Sequence, residues 1–341
     1  MNLAISTIYG KAYAQDRLFD NDSCSIGENL LMPNIILKKQ LEQRGFEVHT
    51  VDEYSMNDID YVIFLDVPHD SRKTIGSFVA LLKYLLKRKW KTDFFAKAIK
   101  KIPKEHRFLI LSEPPTVNPV SYEKKFHSYF HKVLTWSDEL VDDNTYYKYC
   151  IPQFVPPMLY SGEFQQKKLL TMICGNKSSK DPNELYSYRR KIIDYFEDKP
   201  DTFDLYGFGW EKEKLHNFKG RIDKKLQVLS QYRFSICFEN IKNQKGYITE
   251  KIFDCFFAGV VPVYLGADNV EEYIPENTFI DMRRFQDIDD LYDYLLNFSE
   301  KDYRIYLDNI RDFLNGRSFK DYFSVNAYVN RIKEVFFGIA E

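Results

Sequence analysis

The chain has 341 residues, of which 44% are hydrophobic, and its 48 basic and 50 acidic residues give a net charge of −2. A chain of this kind can fill two hydrophobic cores, which excludes intrinsic disorder, and its balanced charge offers no field to attract nucleic acid. Its five cysteines are scattered without a CxxC pair, which argues against structural zinc or a disulfide framework and favours a reducing compartment.

The first half of the chain alternates predicted strands and helices, which is typical of a parallel sheet covered by helices. Strands are predicted at residues 2–8, 46–51, 61–66, 107–112 and 133–136, and helices at residues 36–44 and 75–89.

A Pro-rich stretch at residues 151–157 predicts a linker, after which a second series of strands and helices begins. Strands are predicted at residues 168–174, 203–205, 234–239, 260–265 and 278–280, and helices at residues 188–197, 250–257 and 321–337. We therefore expect an α/β protein with an N-terminal domain at residues 1–157 and a C-terminal domain, ending in a terminal helix, at residues 158–341.

Phosphate-binding features occur only in the second half. A strand ends at Glu239-Asn240, and after a polar loop Thr249 is placed to cap a helix with Lys251 in its first turn. A helix N-terminus with a lysine, at the carboxyl end of a parallel strand, is suited to phosphate. The nearby glutamates cannot hold phosphate, so we expect them to face hydroxyl groups. A sugar nucleotide offers both.

This segment resembles the signature of the α-1,3-fucosyltransferases, glycosyltransferase family 10. The matching residues are Phe238-Glu239-Asn240, Tyr247-Ile248-Thr249-Glu250-Lys251, Val261-Pro262-Val263, Tyr273-Ile274-Pro275, Thr278-Phe279-Ile280 and Asp204-Leu205-Tyr206-Gly207. The resemblance covers about residues 169–297 and implies a GT-B fold, with two Rossmann-like βαβ domains facing across a cleft. It also implies an inverting enzyme that moves fucose from GDP-fucose to a GlcNAc-containing glycan, with an α-1,3 linkage as the first expectation.

Inversion by a single displacement needs one carboxylate base. We predict Glu113 as that base, because it follows an apolar strand in a Ser-Glu-Pro-Pro turn and family members carry a glutamate in a similar turn. A solvent-facing loop glutamate is the alternative, and Asp66, which also follows a strand, is the reserve candidate.

The resemblance places the donor-binding residues in the C-terminal domain. Lys251 and Arg189 are expected to hold the diphosphate, although the neighbouring Arg190 leaves that register open, and Glu250 is expected to contact a sugar hydroxyl. Glu239 either binds a hydroxyl or orders its loop, and Gly207 either allows backbone approach or only makes a turn. The remaining predicted donor-binding residues are Asn240, Tyr247 and Tyr206.

No metal site and no required cofactor are predicted, and a divalent ion is expected at most to stimulate. The DxD triplets at residues 20–22, 58–60 and 287–289 do not directly follow apolar strands. His127 and His131 are spaced by one helical turn but lack a third ligand, so they are interpreted as an exposed or acceptor-side helix face.

Residues 83–104 are strongly basic and interleaved with aromatic residues. Peripheral membrane contact or a lipid-linked anionic acceptor, as in lipopolysaccharide synthesis, would suit them, and a plain basic surface helix is the blander alternative. With no apolar run near the roughly 18 residues of a membrane span, we expect a cytoplasmic protein, or one peripheral to the inner face of the membrane.

Two other functions stay open. The same mechanism could act on another GDP-sugar, such as GDP-arabinose, because no sequence feature displays contacts to the fucose methyl group. A catalytically silent sugar-nucleotide or glycan-binding protein would keep the fold but lose the polar set, and the presence of Glu113, Arg189, Glu250 and Lys251 argues against it.

Overall fold

The structure is a computed structural model that describes residues 1–24, 29–71, 94–156, 162–199 and 201–339. These residues form two compact units. The first unit comprises residues 1–24, 31–149 and 328–339, and the second comprises residues 29–30 and 150–327. The sequence-based boundary after residue 157 lies a few residues later than this division. The end of the chain, assigned from the sequence to the second domain, groups with the first unit instead.

The first unit is built on a six-stranded sheet in which every strand pair is parallel, in the order β2-β1-β3-β4-β5-β6. Its strands are β1 (Asn2–Thr7), β2 (Glu47–Thr50), β3 (Tyr61–Leu65), β4 (Arg107–Leu111), β5 (Lys132–Thr135) and β6 (Tyr146–Lys148). The helices described up to this point of the chain are α1 (Gly10–Tyr13), α2 (Met32–Glu42), α3 (Phe94–Lys101) and α4 (Lys124–His127).

Aromatic packing explains why the chain end belongs to the first unit. All five residues of β4 are buried, as expected for a central parallel strand that is covered on both faces. Phe336, near the end of the chain, stacks on Phe108 of β4 with ring centroids 4.5 Å apart. Lys132 donates through Nζ to the backbone oxygen of Val335 at 2.7 Å. Because this packing buries apolar surface, the end of the chain joins the first unit although it is far from β4 in the sequence.

The second unit contains another six-stranded, all-parallel sheet, in the order β12-β11-β10-β7-β8-β9. Its strands are β7 (Lys168–Ile173), β8 (Phe203–Tyr206), β9 (Phe218–Gly220), β10 (Tyr232–Phe238), β11 (Val261–Leu265) and β12 (Ile280–Asp281). The helices that follow in the chain are α5 (Tyr186–Phe196), α6 (Lys225–Leu229), α7 (Glu250–Phe257), α8 (Ile288–Leu296), α9 (Glu300–Asn315), α10 (Arg317–Tyr322) and α11 (Val325–Phe337).

Each sheet has a point at which the strand order reverses. In the second unit β7 lies between β8 and β10, which is the 3-2-1-4-5-6 order of the Rossmann fold, and in the first unit the reversal lies between β1 and β3. Ligands of such sheets bind beyond the carboxyl ends of the strands at this point. The prediction of two parallel α/β domains is confirmed.

Several predicted elements differ from the observed ones. The predicted helix at residues 321–337 is interrupted, because the Ser324 side chain accepts the Ala327 amide at 3.1 Å and starts α11 as a new helix. The strand predicted at residues 278–280 is reduced to β12, preceded by a short 3₁₀ turn at Glu276–Thr278. The short strands β6 and β9 were not predicted, since three residues carry too little periodicity.

The helix predicted at residues 75–89 lies outside the described residues, as does the first half of the basic stretch 83–104. The described part of that stretch contains α3, in which Phe95 and Ala98 are buried while Lys97 and Lys100 are exposed. This pattern is typical of a helix that covers a core with one face. Within the described ranges, no helix combines the length and hydropathy needed to span a lipid bilayer.

Candidate active site

In the first unit, Glu113 lies in the turn after β4, at the carboxyl edge of the sheet. Its side chain is half-buried, and Oε1 accepts a hydrogen bond from the Tyr9 hydroxyl at 2.7 Å. The Glu113 carbonyl accepts the Tyr122 hydroxyl at 2.8 Å, and the Glu113 amide donates to Asp66 Oδ2 at 3.0 Å. Glu113 is therefore held at its amide, its carbonyl and its side chain, which preorganises the carboxylate.

Asp66, the reserve candidate for the base, is only 2% exposed, and its two oxygens accept the amides of Ser112 and Glu113. Burial, and then the negative charge of Glu113, raise the pKa of Asp66 to about 8. A buried carboxyl that is already engaged on both oxygens is poorly placed to meet a substrate. The geometry favours Glu113 as the carboxylate that faces a ligand.

The strand order explains why these residues meet. Tyr9 follows β1, Asp66 follows β3 and Glu113 follows β4, and these three parallel strands are neighbours in the sheet. Their carboxyl ends therefore share one edge, at the reversal of strand order. Sequence reasoning found Glu113 and Asp66 separately and missed Tyr9 and Tyr122. The only signal for Tyr9 is its position just after β1, and Tyr122, in the 3₁₀ turn Pro119–Tyr122, carries none.

In the second unit, Glu239 lies directly after β10 and is fully buried. Its Oε1 accepts the Thr249 amide at 2.8 Å, and its Oε2 accepts the Thr249 hydroxyl at 2.7 Å and pairs with Lys251 Nζ at 3.1 Å. Of the two roles left open for Glu239, this geometry favours ordering of the loop over contact with a ligand. The carboxylate fixes the residue that caps α7.

The start of α7 agrees with the sequence-based prediction, since Thr249 is its N-cap and Glu250 its first residue. Lys251 Nζ lies 2.9 Å from Thr249 Oγ1 and 3.4 Å from Glu250 Oε1. Although burial lowers the pKa of Lys251, the charges of Glu239 and Glu250 raise it above its ordinary value, so the ammonium stays protonated.

Glu250 is an ionised carboxylate with an accessible side chain. Burial opposes ionisation, but the attraction of Lys251 and then of Lys225 lowers the pKa of Glu250 to about 2. Its side chain is 41% exposed, in contrast to that of Glu239. An ionised carboxylate only accepts hydrogen bonds, so Glu250 is suited to the hydroxyl groups of a sugar.

Lys225 is a cation near the site that sequence reasoning missed. Its Nζ lies 2.5 Å from Asp254 Oδ2, and the charges of Asp254 and Glu250 raise its pKa despite burial. Lys225 begins α6, and Asp254 lies one turn into α7 beyond Glu250. Only the packing of α6 on α7 brings them together, so the sequence held no signal for this pair.

The two adjacent arginines of α5 have different surroundings. Arg189 is 6% exposed, and its Nη2 donates to the carbonyl of Phe238 at 2.5 Å and to Asn240 Oδ1 at 3.2 Å. Its positive charge also acts on Lys251, lowering the pKa of that ammonium somewhat. The side chain of Arg190 is 42% exposed and forms ion pairs with Asp194 and Glu213. Arg189 is therefore the arginine that lies with Lys251 at the carboxyl end of β10.

A pocket of about 230 Å³ lies beside Arg189, where the strand order of the second sheet reverses. The pocket is lined by the loop 174–179 after β7, by Glu184, by the start of α5 including both Arg189 and Arg190, and by Trp210. The positive end of α5 and the guanidinium of Arg189 both favour an anion here. The pocket has the position of a nucleotide site in a Rossmann sheet.

Two further predicted residues lie at the same edge. Asn240 connects the loop to α5, because its carbonyl accepts the Leu185 amide at 3.1 Å while its side chain accepts from Arg189. Tyr247 is 2% exposed, so it supports the loop from within and has little surface for a ligand.

Tyr206 and Gly207 both lie close to other protein groups of the second unit. The Tyr206 hydroxyl lies 2.9 Å from that of Tyr232, which donates to the buried Asp204 at 2.6 Å. Gly207 has φ +135°, and a Cβ there would lie 2.0 Å from the carbonyl oxygen of Cys174. The glycine thus allows the ends of β7 and β8 to approach closely beside the pocket.

The histidine interpretation needs correction. His127 is 2% exposed and not on an exposed face, with Nε2 2.6 Å from the Ser121 carbonyl oxygen and Nδ1 2.9 Å from the Tyr146 hydroxyl. His131 follows α4 rather than lying on it. Among the described residues, no group of three or more His, Cys, Asp or Glu side chains is arranged to hold a metal ion.

Comparison with known proteins adds to this geometry. Residues 165–324 match the model of the C-terminal part of glycosyltransferase family 10 (fucosyltransferase). The chain is 33% identical over 121 residues to an alpha-(1,3)-fucosyltransferase of Helicobacter pylori, which covers 35% of this chain and 25% of that one. It is 32% identical over 117 residues to 4-galactosyl-N-acetylglucosaminide 3-alpha-L-fucosyltransferase 9 of Mus musculus, covering 34% and 31% respectively. These alignments span only a quarter to a third of the relatives' length.

Similarity of fold extends further along the chain. A crystal structure of an alpha1,3-fucosyltransferase superposes with a TM-score of 0.59 at 17% identity, covering 99% of this chain and 89% of that one. At this identity the likeness shows the fold, and the predicted GT-B class of two parallel-sheet domains is confirmed.

Proposed function

Because residues 165–324 match the model of the C-terminal part of glycosyltransferase family 10 (fucosyltransferase), we propose that the protein is an inverting fucosyltransferase that uses GDP-fucose. The observation that carries this proposal is the meeting of Arg189, Lys251 and Glu250 at the carboxyl end of β10. Two cations there suit a diphosphate, and the ionised, accessible carboxylate suits a sugar or ribose hydroxyl.

In the proposed reaction, Glu113 takes the proton of the acceptor hydroxyl as that oxygen attacks C1 of fucose. The bond between C1 and the diphosphate oxygen breaks, and its electron pair leaves with GDP. Arg189 and Lys251 stabilise the negative charge that develops on the leaving group. A single displacement of this kind inverts the configuration at C1 and requires no covalent intermediate.

A glycan that contains N-acetylglucosamine, joined through an α-1,3 linkage, is the acceptor we propose. Support comes from the relatives, one of which is named as acting on 4-galactosyl-N-acetylglucosaminide. The first unit lies wholly outside the matched range of residues 165–324, so the proposed acceptor depends on the analogy with these relatives. We further propose that this acceptor is lipid-linked and lies at the cytoplasmic face of the membrane.

We also propose that the cationic side chains of Arg189 and Lys251, together with the start of α7, take the place of a metal ion in stabilising GDP.

Calorimetric titration tests the donor. The purified protein is titrated with GDP-fucose, GDP-mannose, GDP and UDP-galactose, each with and without EDTA. We expect GDP-fucose to bind more tightly than GDP-mannose, UDP-galactose not to bind, and EDTA to have no effect. Equal affinity for all GDP-sugars would shift the proposal to another GDP-sugar such as GDP-arabinose, and absence of guanine-nucleotide binding would contradict it.

A matched pair of lysine variants tests the site. Lys251→Ala should abolish GDP binding and transfer, since it removes the ammonium at the start of α7. Lys245→Ala, in the preceding loop, removes an equal charge outside the proposed contacts and should retain both. Detectable binding without any transfer to N-acetyllactosamine or other glycans in the wild-type protein would favour a silent binding protein.

A further inference from the structure

Tyr9 contacts the side chain of Glu113 and yet remains accessible to solvent. Its hydroxyl donates to Glu113 Oε1 at 2.7 Å, yet the residue as a whole is 46% exposed. Large aromatic residues usually bury more of their surface than this. An accessible ring is therefore fixed directly beside the carboxylate to which we assign the proton transfer.

The backbone of Tyr9 is fixed by several hydrogen bonds. Its amide donates to Thr7 Oγ1 at 3.2 Å, and its carbonyl accepts the amides of Ala12 at 2.7 Å and Tyr13 at 3.3 Å. The rings of Tyr9 and Tyr13 pack edge to face with centroids 6.3 Å apart. β1 and α1 thus fix the backbone of Tyr9, and its ring is held by Tyr13 and by the hydrogen bond from its hydroxyl to Glu113.

The hydroxyl of Tyr9 acts as a donor at neutral pH. Burial, and then the negative charge of Glu113, raise the pKa of Tyr9 above its ordinary value, so the phenol keeps its proton. Because Oε1 of Glu113 already accepts this hydrogen bond, Oε2 offers more free acceptor capacity to an incoming hydroxyl.

We propose that Tyr9 is a specificity-determining residue of the acceptor site: its hydroxyl directs the acceptor to Glu113 Oε2, and its ring packs against the apolar face of the acceptor pyranose. The inference rests on the proposed function. An acceptor hydroxyl that gives its proton to Oε2 must lie about 2.6–3.2 Å from it. The two oxygens of one carboxylate are adjacent, so the sugar that carries this hydroxyl comes within reach of the Tyr9 ring.

Three variants separate the two roles. Tyr9→Phe keeps the ring and removes the hydroxyl, whereas Tyr9→Ala and Tyr9→Leu remove both the ring and the hydroxyl. Tyr54→Phe is the matched control, because the Tyr54 hydroxyl donates to the carbonyl of Glu47 elsewhere in the same unit. Initial rates are measured with N-acetyllactosamine and with GDP-fucose varied in turn, and folding is checked by circular dichroism.

For Tyr9→Phe we expect kcat to fall about 10-fold with little change in the acceptor KM, since one hydrogen bond to the carboxylate is lost. For Tyr9→Ala and Tyr9→Leu we expect, in addition, an acceptor KM about 10-fold higher. The KM for GDP-fucose and the calorimetric affinity for GDP should stay unchanged in every variant, and Tyr54→Phe should match the wild type.

Equal acceptor KM values for Tyr9→Phe, Tyr9→Ala and the wild type would overturn the ring contact. A rise in acceptor KM for Tyr9→Phe as large as that for Tyr9→Ala would overturn the division between ring and hydroxyl. Either result, obtained with an active wild-type enzyme, refutes the two-part role proposed for Tyr9 and leaves the proposed function intact. Failure of the wild type to bind GDP-fucose would instead refute the proposed function.

Discussion

Asp66 Oδ2 accepts a hydrogen bond from the backbone amide of Glu113 at 3.0 Å. The buried carboxyl after β3 therefore holds the turn after β4 in place. Asp66 adopts φ +65°, a conformation that residues other than glycine rarely adopt. Backbone strain combined with a buried carboxyl is costly to stability and is concentrated at functional sites. We therefore expect Asp66 to act as a positioning residue for Glu113.

Removing Asp66 should slow transfer without weakening donor binding. Asp66→Ala leaves two backbone amides without their acceptor, so the turn shifts and kcat should fall roughly 10–100-fold. Asp66→Asn tolerates the positive φ and keeps one acceptor oxygen, so it should restore part of the rate. Asp142→Ala, which removes a carboxylate that accepts three turn amides elsewhere in the unit, is the control and should retain kcat. Equal rates for Asp66→Ala and the wild type would refute the positioning role.

The raised pKa of Asp66 predicts a pH dependence of stability. In the unfolded chain this carboxyl has a pKa of about 3.9, and in the folded state its pKa is about 8. Between these values the folded state holds a proton that the unfolded state has released, so the free energy of unfolding falls as the pH rises. The Tm of the wild type should therefore fall relative to that of Asp66→Asn between pH 5 and pH 8. Parallel Tm curves for the two proteins would contradict this assignment.

Replacing the proposed base should remove chemistry and spare binding. In Glu113→Gln the side-chain oxygen can still accept from Tyr9, but the amide cannot take a proton. We expect transfer to fall by roughly 10²–10⁴-fold, the usual contribution of a positioned base. Calorimetric affinity for GDP-fucose should be retained, and Glu139→Gln, an exposed glutamate of the same unit, should behave as the wild type. Near-normal transfer by Glu113→Gln would exclude Glu113 as the base.

The adjacent arginines of α5 form a natural pair for testing the diphosphate contact. Arg189→Lys loses the planar fork that reaches Phe238 and Asn240 from a buried position, and we expect GDP affinity to fall about 10-fold or more. Arg190→Lys changes a side chain that forms surface ion pairs, and its GDP affinity should match that of the wild type. The reverse order of affinities would move the diphosphate contact to Arg190.

Two glycines with positive φ test the close approach beside the pocket. In Gly207→Ala the new Cβ would meet the Cys174 carbonyl oxygen at 2.0 Å, whereas in Gly220→Ala it would meet nothing within 4 Å. Both substitutions strain the backbone, but only the first forces β7 and β8 apart. We expect Gly207→Ala to lower the Tm by several degrees more than Gly220→Ala and to weaken GDP binding. Similar melting curves for the two variants would show that the contact is dispensable.

Much of the second unit could be predicted because its signals are local. The alternation of β10, the cap at Thr249 and the apolar run of β11 each depend on residues a few positions apart, and the structure shows these elements at the predicted places. The parallel arrangement also followed from the alternation of strands and helices. The assignment of the chain end to the second unit failed, because no local pattern reveals that Phe336 packs on Phe108.

The sequence by itself determined which chemical groups are available: a helix start that carries Lys251 and Glu250, and a stiff turn that carries Glu113. Only the tertiary structure decided their surroundings. In the second unit, Glu239 is buried and bonded to Thr249, Lys225 pairs with Asp254, and Arg189 donates to a backbone carbonyl in the interior. In the first unit, Asp66 and Tyr9 both contact Glu113. The physical reason is that most of these contacts join strand ends and helices that are 29 to 104 residues apart in the chain. The order of strands in each sheet decides which of them become neighbours.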